Sequence, residues 1–147
     1  MSKVRALYHI VFCTKSRKMT ITDEFRRDLF SVIFSVIQKN NCHLIRMGGI
    51  ANHIHMLLDL NPQIALSHLM RIIKSESSGF LKRDKRFPLF EGWGTGYFAM
   101  TISPEIKDNV INYINNQQNH HYIMPFDQEL EQFFREACME FDENELS

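Results

Sequence analysis

The chain has 147 residues, 44% hydrophobic and 23% charged, with 17 basic and 17 acidic side chains and a formal net charge of zero. Those figures fit a single soluble domain over residues 1–147, and no apolar run reaches the roughly 20 residues a membrane-spanning helix needs. Cys13, Cys42 and Cys138 are odd in number and far apart, which argues against a disulfide framework or a zinc cluster and fits a reducing cytoplasm.

Residues 4–14 are apolar on both faces and rich in strand formers, which predicts a central strand. Phe25, Leu29, Val32, Ile33, Val36 and Ile37 then follow helical spacing, and Asn40 and Asn41 close that helix. Residues 43–50 predict a second strand. Residues 53–60 alternate: Ile54, Met56, Leu58 and Leu60 point to one face, and His53, His55, Leu57 and Asp59 to the other. A second helix carries Leu66, Leu69, Met70, Ile73 and Phe80, and a loop with Pro88, Gly92, Gly94 and Gly96 leads to a fourth strand over residues 97–102. Ser103 as N-cap and Pro104 at the first helical position open a third helix expected to reach about Asn119. A fourth is expected over residues 126–140.

The order β-α-β-β-α-β-α-α places the chain in the α+β class, with a ferredoxin-like (split β-α-β) antiparallel sheet and extra C-terminal helices. The two crossover helices must cover the sheet face that receives Ile54, Met56 and Leu58. The histidine face is left to the third or fourth helix.

Charge is unevenly spread. From Asp127 to Glu145 there are eight acids and only Arg135 as a base, which leaves 16 bases and 9 acids before them. A basic body with an acidic tail from about residue 126 suggests a polyanion-binding domain whose end is solvated or covers something basic. Lys15, Arg17 and Lys18 follow the first strand. Arg71, Lys74 and Arg83, with Lys82, Lys85 and Arg86, line the second helix and its exit as candidate phosphate contacts. Phe87, Phe90 and Trp93 nearby are candidates for stacking on unpaired bases.

His53 and His55 project side by side from one strand, so two imidazoles can hold one ion. Tyr113 and Gln117 are four apart and share a helical face. If that helix crosses the histidine face, the amide oxygen of Gln117 becomes a third ligand and Tyr113 points at whatever the metal holds. The competing reading makes Tyr113 an ordinary packing residue in line with Ile106 and Val110.

Together these segments resemble the HUH single-tyrosine transposases of the smallest bacterial insertion sequences, the 200/605 group. Tyr8-His9-Ile10-Val11-Phe12 is similar to the opening strand of that family, and Asn52-His53-Ile54-His55-Met56-Leu57-Leu58 to its metal-binding strand. Gly96-Tyr97-Phe98-Ala99-Met100-Thr101 and Tyr113-Ile114-Asn115-Asn116-Gln117 resemble its last strand and nucleophile segment. Ala51-Asn52 stands where the family usually has Pro-Asp.

The resemblance implies a metal-dependent transposase that cleaves and rejoins single-stranded DNA with hairpin ends through a 5′-phosphotyrosine on Tyr113. It further implies Mg²⁺ or Mn²⁺ held by His53, His55 and Gln117, a homodimer, and no nucleotide cofactor or membrane partner. His120 and His121 are accessory candidates for proton transfer or ligation. The alternatives are a domesticated, non-transposing hairpin-binding protein of the same fold, an RNA-recognition-like module, and a metal hydrolase that activates water.

Overall fold

The computed structural model describes residues 1–117 and 124–147. Four strands, β1 (Leu7–Cys13), β2 (His43–Ile50), β3 (His53–Asp59) and β4 (Phe98–Thr101), form an antiparallel sheet in the order β2-β3-β1-β4. Helix α1 (Arg26–Lys39) joins β1 to β2, and α2 (Leu66–Arg83) joins β3 to β4. Helices α3 (Lys107–Asn115) and α4 (Phe126–Glu136) follow. This is the split β-α-β arrangement expected from the element order.

Strand alternation decides which residues meet which layer. Ile10 and Phe12 of β1 and Ile54, Met56 and Leu58 of β3 face α1 and α2, where they are buried with Leu29, Ile33, Ile37, Leu69, Met70 and Ile73. The opposite face carries Val11, Cys13 and Phe98, buried with Phe126, Leu130 and Phe134 of α4 and with Leu146. Both faces of β1 and β3 are therefore covered, which accounts for their near-continuous apolar sequence.

Local chemistry sets the element ends. After α1, Asn41 adopts a left-handed conformation (φ 57°) and the Cys42 N–H reaches back to the Ile37 carbonyl at 3.1 Å, a Schellman-type closure. The same device shortens the last helix relative to expectation. Cys138 is left-handed (φ 57°) and the Met139 N–H bonds the Phe134 carbonyl at 2.8 Å, so α4 stops at Glu136 instead of running to residue 140. The third helix opens as a 3₁₀ turn over Pro104–Ile106, without a side-chain cap from Ser103, and α3 ends at Asn115 with Asn116 as its C-cap, short of Asn119. β1 is shorter than residues 4–14, because Thr14 leaves the ladder to bond the Asn52 carbonyl at 3.0 Å.

Gly48 of β2 lets α3 approach. It pairs with His55 across the ladder, and a Cβ there would stand 2.7 Å from the Ile114 carbonyl oxygen. Backbone cannot yield as a flexible side chain would, so Gly48→Ala must lift α3 off the sheet. The expected cost is about 1–3 kcal/mol of stability, measured by chemical denaturation.

Candidate active site

The four sequence-nominated residues meet on the sheet face opposite α1 and α2. His53 and His55 are fully buried on β3, and Gln117 is 2% exposed. Nδ1 of His53 lies 2.8 Å from Oδ1 of Asn52, and its Nε2 lies 3.1 Å from Oε1 of Gln117. The amide orientations are fixed from outside: Nδ2 of Asn52 donates to the Arg17 carbonyl at 3.2 Å, and Nε2 of Gln117 to the Tyr113 carbonyl at 3.4 Å. A neutral His53 therefore donates from Nδ1 to Asn52, and its Nε2 lone pair converges with the Gln117 oxygen. Asn52, at a position where the sequence departs from the family pattern, thus sets the tautomer of the first histidine.

Sequence reasoning missed Glu129. Helix α4 brings this acid, 1% exposed, to the centre of the face, where Oε1 stands 3.0 Å from Nε2 of His55. Donor atoms of His53, His55 and Glu129 all lie within 4.8 Å of one another. Two imidazole nitrogens, a carboxylate oxygen and the nearby amide oxygen form a donor set that suits a divalent ion such as Mn²⁺. The one clue in the sequence was the acidic tail, and within it the apolar stripe Phe126, Leu130, Phe133 and Phe134, which marks the inner face that Glu129 shares.

His9 was also overlooked as a site residue. Its Nε2 is 3.0 Å from Nδ1 of His55, and Tyr113 meets both rings edge-on, at 6.3 Å from His9 and 5.6 Å from His55. Phe126 stacks on His53 at 3.8 Å, and Phe133 closes on His9, His55 and Tyr113. A cavity of about 400 Å³, lined by His9, Ile106, Val110, Tyr113, Glu129 and Phe133, adjoins the cluster. Tyr113 so continues the stripe of Ile106 and Val110 and also reaches the histidines.

Electrostatics follow from this burial. The Tyr113 phenol is pushed well above its ordinary value of 10, first by desolvation and then by the charge and hydrogen bond of Glu129. His9 is lowered from 6.5 to about 4 by burial, with the Glu129 charge pulling the other way. The unfolded chain accepts a proton near pH 6.5 that the folded one accepts only near pH 4, so stability falls as pH drops through that window. The expected loss from this group is up to about 3 kcal/mol, read from urea midpoints between pH 7 and 4 and absent in His9→Gln.

The basic residues divide. Arg17 binds Asp127 at 2.9 Å and the Glu145 carbonyl, so the acidic C-terminal segment does cover part of the basic body. Lys74 donates to the carbonyls of Gly94, at 2.9 Å, and Gly96. Lys15, Lys18, Arg71 and Arg83 are exposed, with Lys18 loosely paired to Glu91 at 3.5 Å. Phe87 and Phe90 are buried in the core beneath α1 and α2 and so serve packing, while Trp93 is partly buried, packs on Phe12 and donates to Ser77 at 2.9 Å. His120 and His121 lie outside the described residues.

The family described as IS200-like transposase matches residues 2–117. The transposase for insertion sequence element IS200 of Salmonella typhimurium is 31% identical over 115 residues, which cover 75% of each chain. The ISDra2 transposase TnpA of Deinococcus radiodurans is 25% identical over 117 residues, 76% of this chain and 84% of its own. Among solved structures, a REP-associated tyrosine transposase bound to a REP hairpin is similar in fold, with a TM-score of 0.64 at 16% identity over 82% of this chain and 74% of that one. The family match stops at Gln117, before α4 supplies Glu129. Within residues 2–117 lie all four strands, both histidines and the tyrosine helix, and on that ground the chain belongs to the IS200-like transposase family, whose members cut and transfer DNA strands.

Proposed function

We propose that residues 1–147 act as one domain that cleaves and rejoins single-stranded DNA with hairpin ends, with Tyr113 as nucleophile. His53 and His55 hold a divalent ion, Mg²⁺ or Mn²⁺, with Gln117 and Glu129 as oxygen donors. The observation that supports this best is the convergence of the Tyr113 ring, 5.6 Å from that of His55, with three donor groups lying within 4.8 Å of one another. When bound, such an ion neutralises the scissile phosphate and offsets the charge that develops in the transition state.

The chain's own groups supply the rest. A buried phenol beside a carboxylate resists ionising in advance, so its proton leaves as the bond forms, and Glu129 is the acceptor within reach. The Tyr113 oxygen bonds to phosphorus, the bond from phosphorus to the 3′ oxygen breaks, and that oxygen leaves as a hydroxyl after taking a proton from solvent. The 5′-phosphotyrosine keeps a phosphoester, so a 3′-hydroxyl can reverse the step without ATP.

Lys15, Lys18, Arg71 and Arg83 are proposed to hold backbone phosphates, with Lys15, Lys74 and Lys82 around one depression beside Trp93. The reading includes a homodimer at work in the cytoplasm. Its direct test is incubation with labelled single-stranded DNA bearing the flanks of the chain's own gene, with Mn²⁺ or Mg²⁺, followed by a denaturing protein gel. A covalent band that chelation removes is the expected result. Binding without any such band would instead identify a domesticated hairpin-binding protein.

A further inference from the structure

His9 has no part in the reaction as written, yet it is joined directly to His55. It comes from β1, is 7% exposed, and places Nε2 3.0 Å from Nδ1 of His55, with the two rings near-coplanar, 23° apart, and their centroids at 5.2 Å. The other nitrogen of His55 faces Glu129 at 3.0 Å. Both nitrogens of His55 are thus engaged, and the protons along His9, His55 and Glu129 depend on one another.

Two arrangements of those protons exist. Facing an ionised Glu129, which can only accept, Nε2 of His55 carries the proton and Nδ1 accepts from the Nε2–H of His9. To present Nε2 to a cation, a neutral His55 must carry its proton on Nδ1, and that buried N–H needs an acceptor. His9 provides one once its own proton sits on Nδ1. Imidazole serves in both arrangements because it can donate or accept at the same atom. An apolar side chain serves in neither.

We propose that His9 is a positioning residue of the metal centre, which holds the His55 ring in plane and accepts its Nδ1 proton when Nε2 binds a divalent cation. This rests on the metal reading given above. Phenylalanine at position 9 keeps the ring and the contact with Phe133 but leaves the His55 N–H without an acceptor. Glutamine offers an amide that can donate or accept.

The test is Mn²⁺ titration of the full chain without DNA, with free Mn²⁺ followed by electron paramagnetic resonance. His9→Phe is expected to bind about 10–100-fold more weakly, as loss of such a supporting bond typically does, and His9→Gln to recover most of the affinity. A second readout needs no variant: long-range ¹H–¹⁵N spectra of the wild type should show His55 protonated on Nδ1 once Mg²⁺ saturates the site. Wild-type affinity in His9→Phe, no recovery in His9→Gln, or a His55 proton still on Nε2 with Mg²⁺ bound would each overturn the inference. Failure of the wild type to bind Mn²⁺, or binding indifferent to His53→Ala, would overturn the metal reading and this inference with it.

Discussion

Tyr113→Phe is expected to abolish the covalent DNA–protein band while leaving DNA binding and the fold intact. The substitution removes one oxygen and nothing else. The ring that meets His9, His55 and Phe133 edge-on stays in place, and Ile106 and Val110 keep their neighbour in the stripe along the cavity. The deleted hydroxyl is a buried partner of Glu129, which keeps its contact with His55, so the variant is expected to lose about 1–3 kcal/mol of stability yet stay folded; a cooperative urea transition above the assay conditions is the control. The effect on the reaction is complete, because no other described nucleophile is placed for it. Cys13, a buried thiol packed with Val11, Phe98 and Phe126, is pushed up to about 11 by burial and donates to the Leu146 carbonyl at 2.7 Å. A metal hydrolase that activates water would keep cutting without Tyr113, so persistent cleavage in the variant would sink the tyrosine mechanism.

The extent to which this site was readable in the sequence differs by residue, for physical reasons. His53 and His55 were legible because a period of two in a half-apolar strand fixes both the face and the spacing of alternate residues. The sheet order followed from the element order, since short crossovers leave few topologies. Tyr113 and Gln117 were legible through their four-residue spacing, although α3 ends at Asn115 and the glutamine reaches the histidine from beyond the helix. Glu129 and His9 were not. Helical periodicity shows that α4 has an apolar face but not which layer it covers, and a lone acid on such a face looks like part of a solvated tail. His9 shares its strand face with Val11 and Cys13, and only the β1–β3 register brings it diagonally onto His55. Long-range register and docking of a terminal helix are tertiary facts that local pattern does not carry. The same holds for the intramolecular partners of Arg17 and Lys74, two candidate phosphate contacts that the fold also joins to Asp127 and to the carbonyls of Gly94 and Gly96.

Glu129→Gln is the second large effect expected, and it concerns a residue outside the segment that matches the family. The amide keeps the shape and can still accept a bond from His55, so α4 should remain docked through Phe126, Leu130 and Phe134. What disappears is a negative charge buried among cation donors. Mn²⁺ affinity should fall at least tenfold, equivalent to about 1.4 kcal/mol. Covalent attachment at fixed Mn²⁺ should fall with it, and excess Mn²⁺ should restore it only in part, because the variant also lacks the acceptor for the phenol proton. A further consequence separates ligation from mere proximity. If Glu129 holds the ion, metal binding tightens α4 on the sheet, and added Mn²⁺ raises the melting temperature of the wild type more than that of the variant, since a ligand stabilises the folded state by an amount that grows with the logarithm of its concentration over Kd. Equal affinity and an equal melting shift in the two proteins would leave Glu129 as the proton acceptor alone and return the metal to His53, His55 and Gln117.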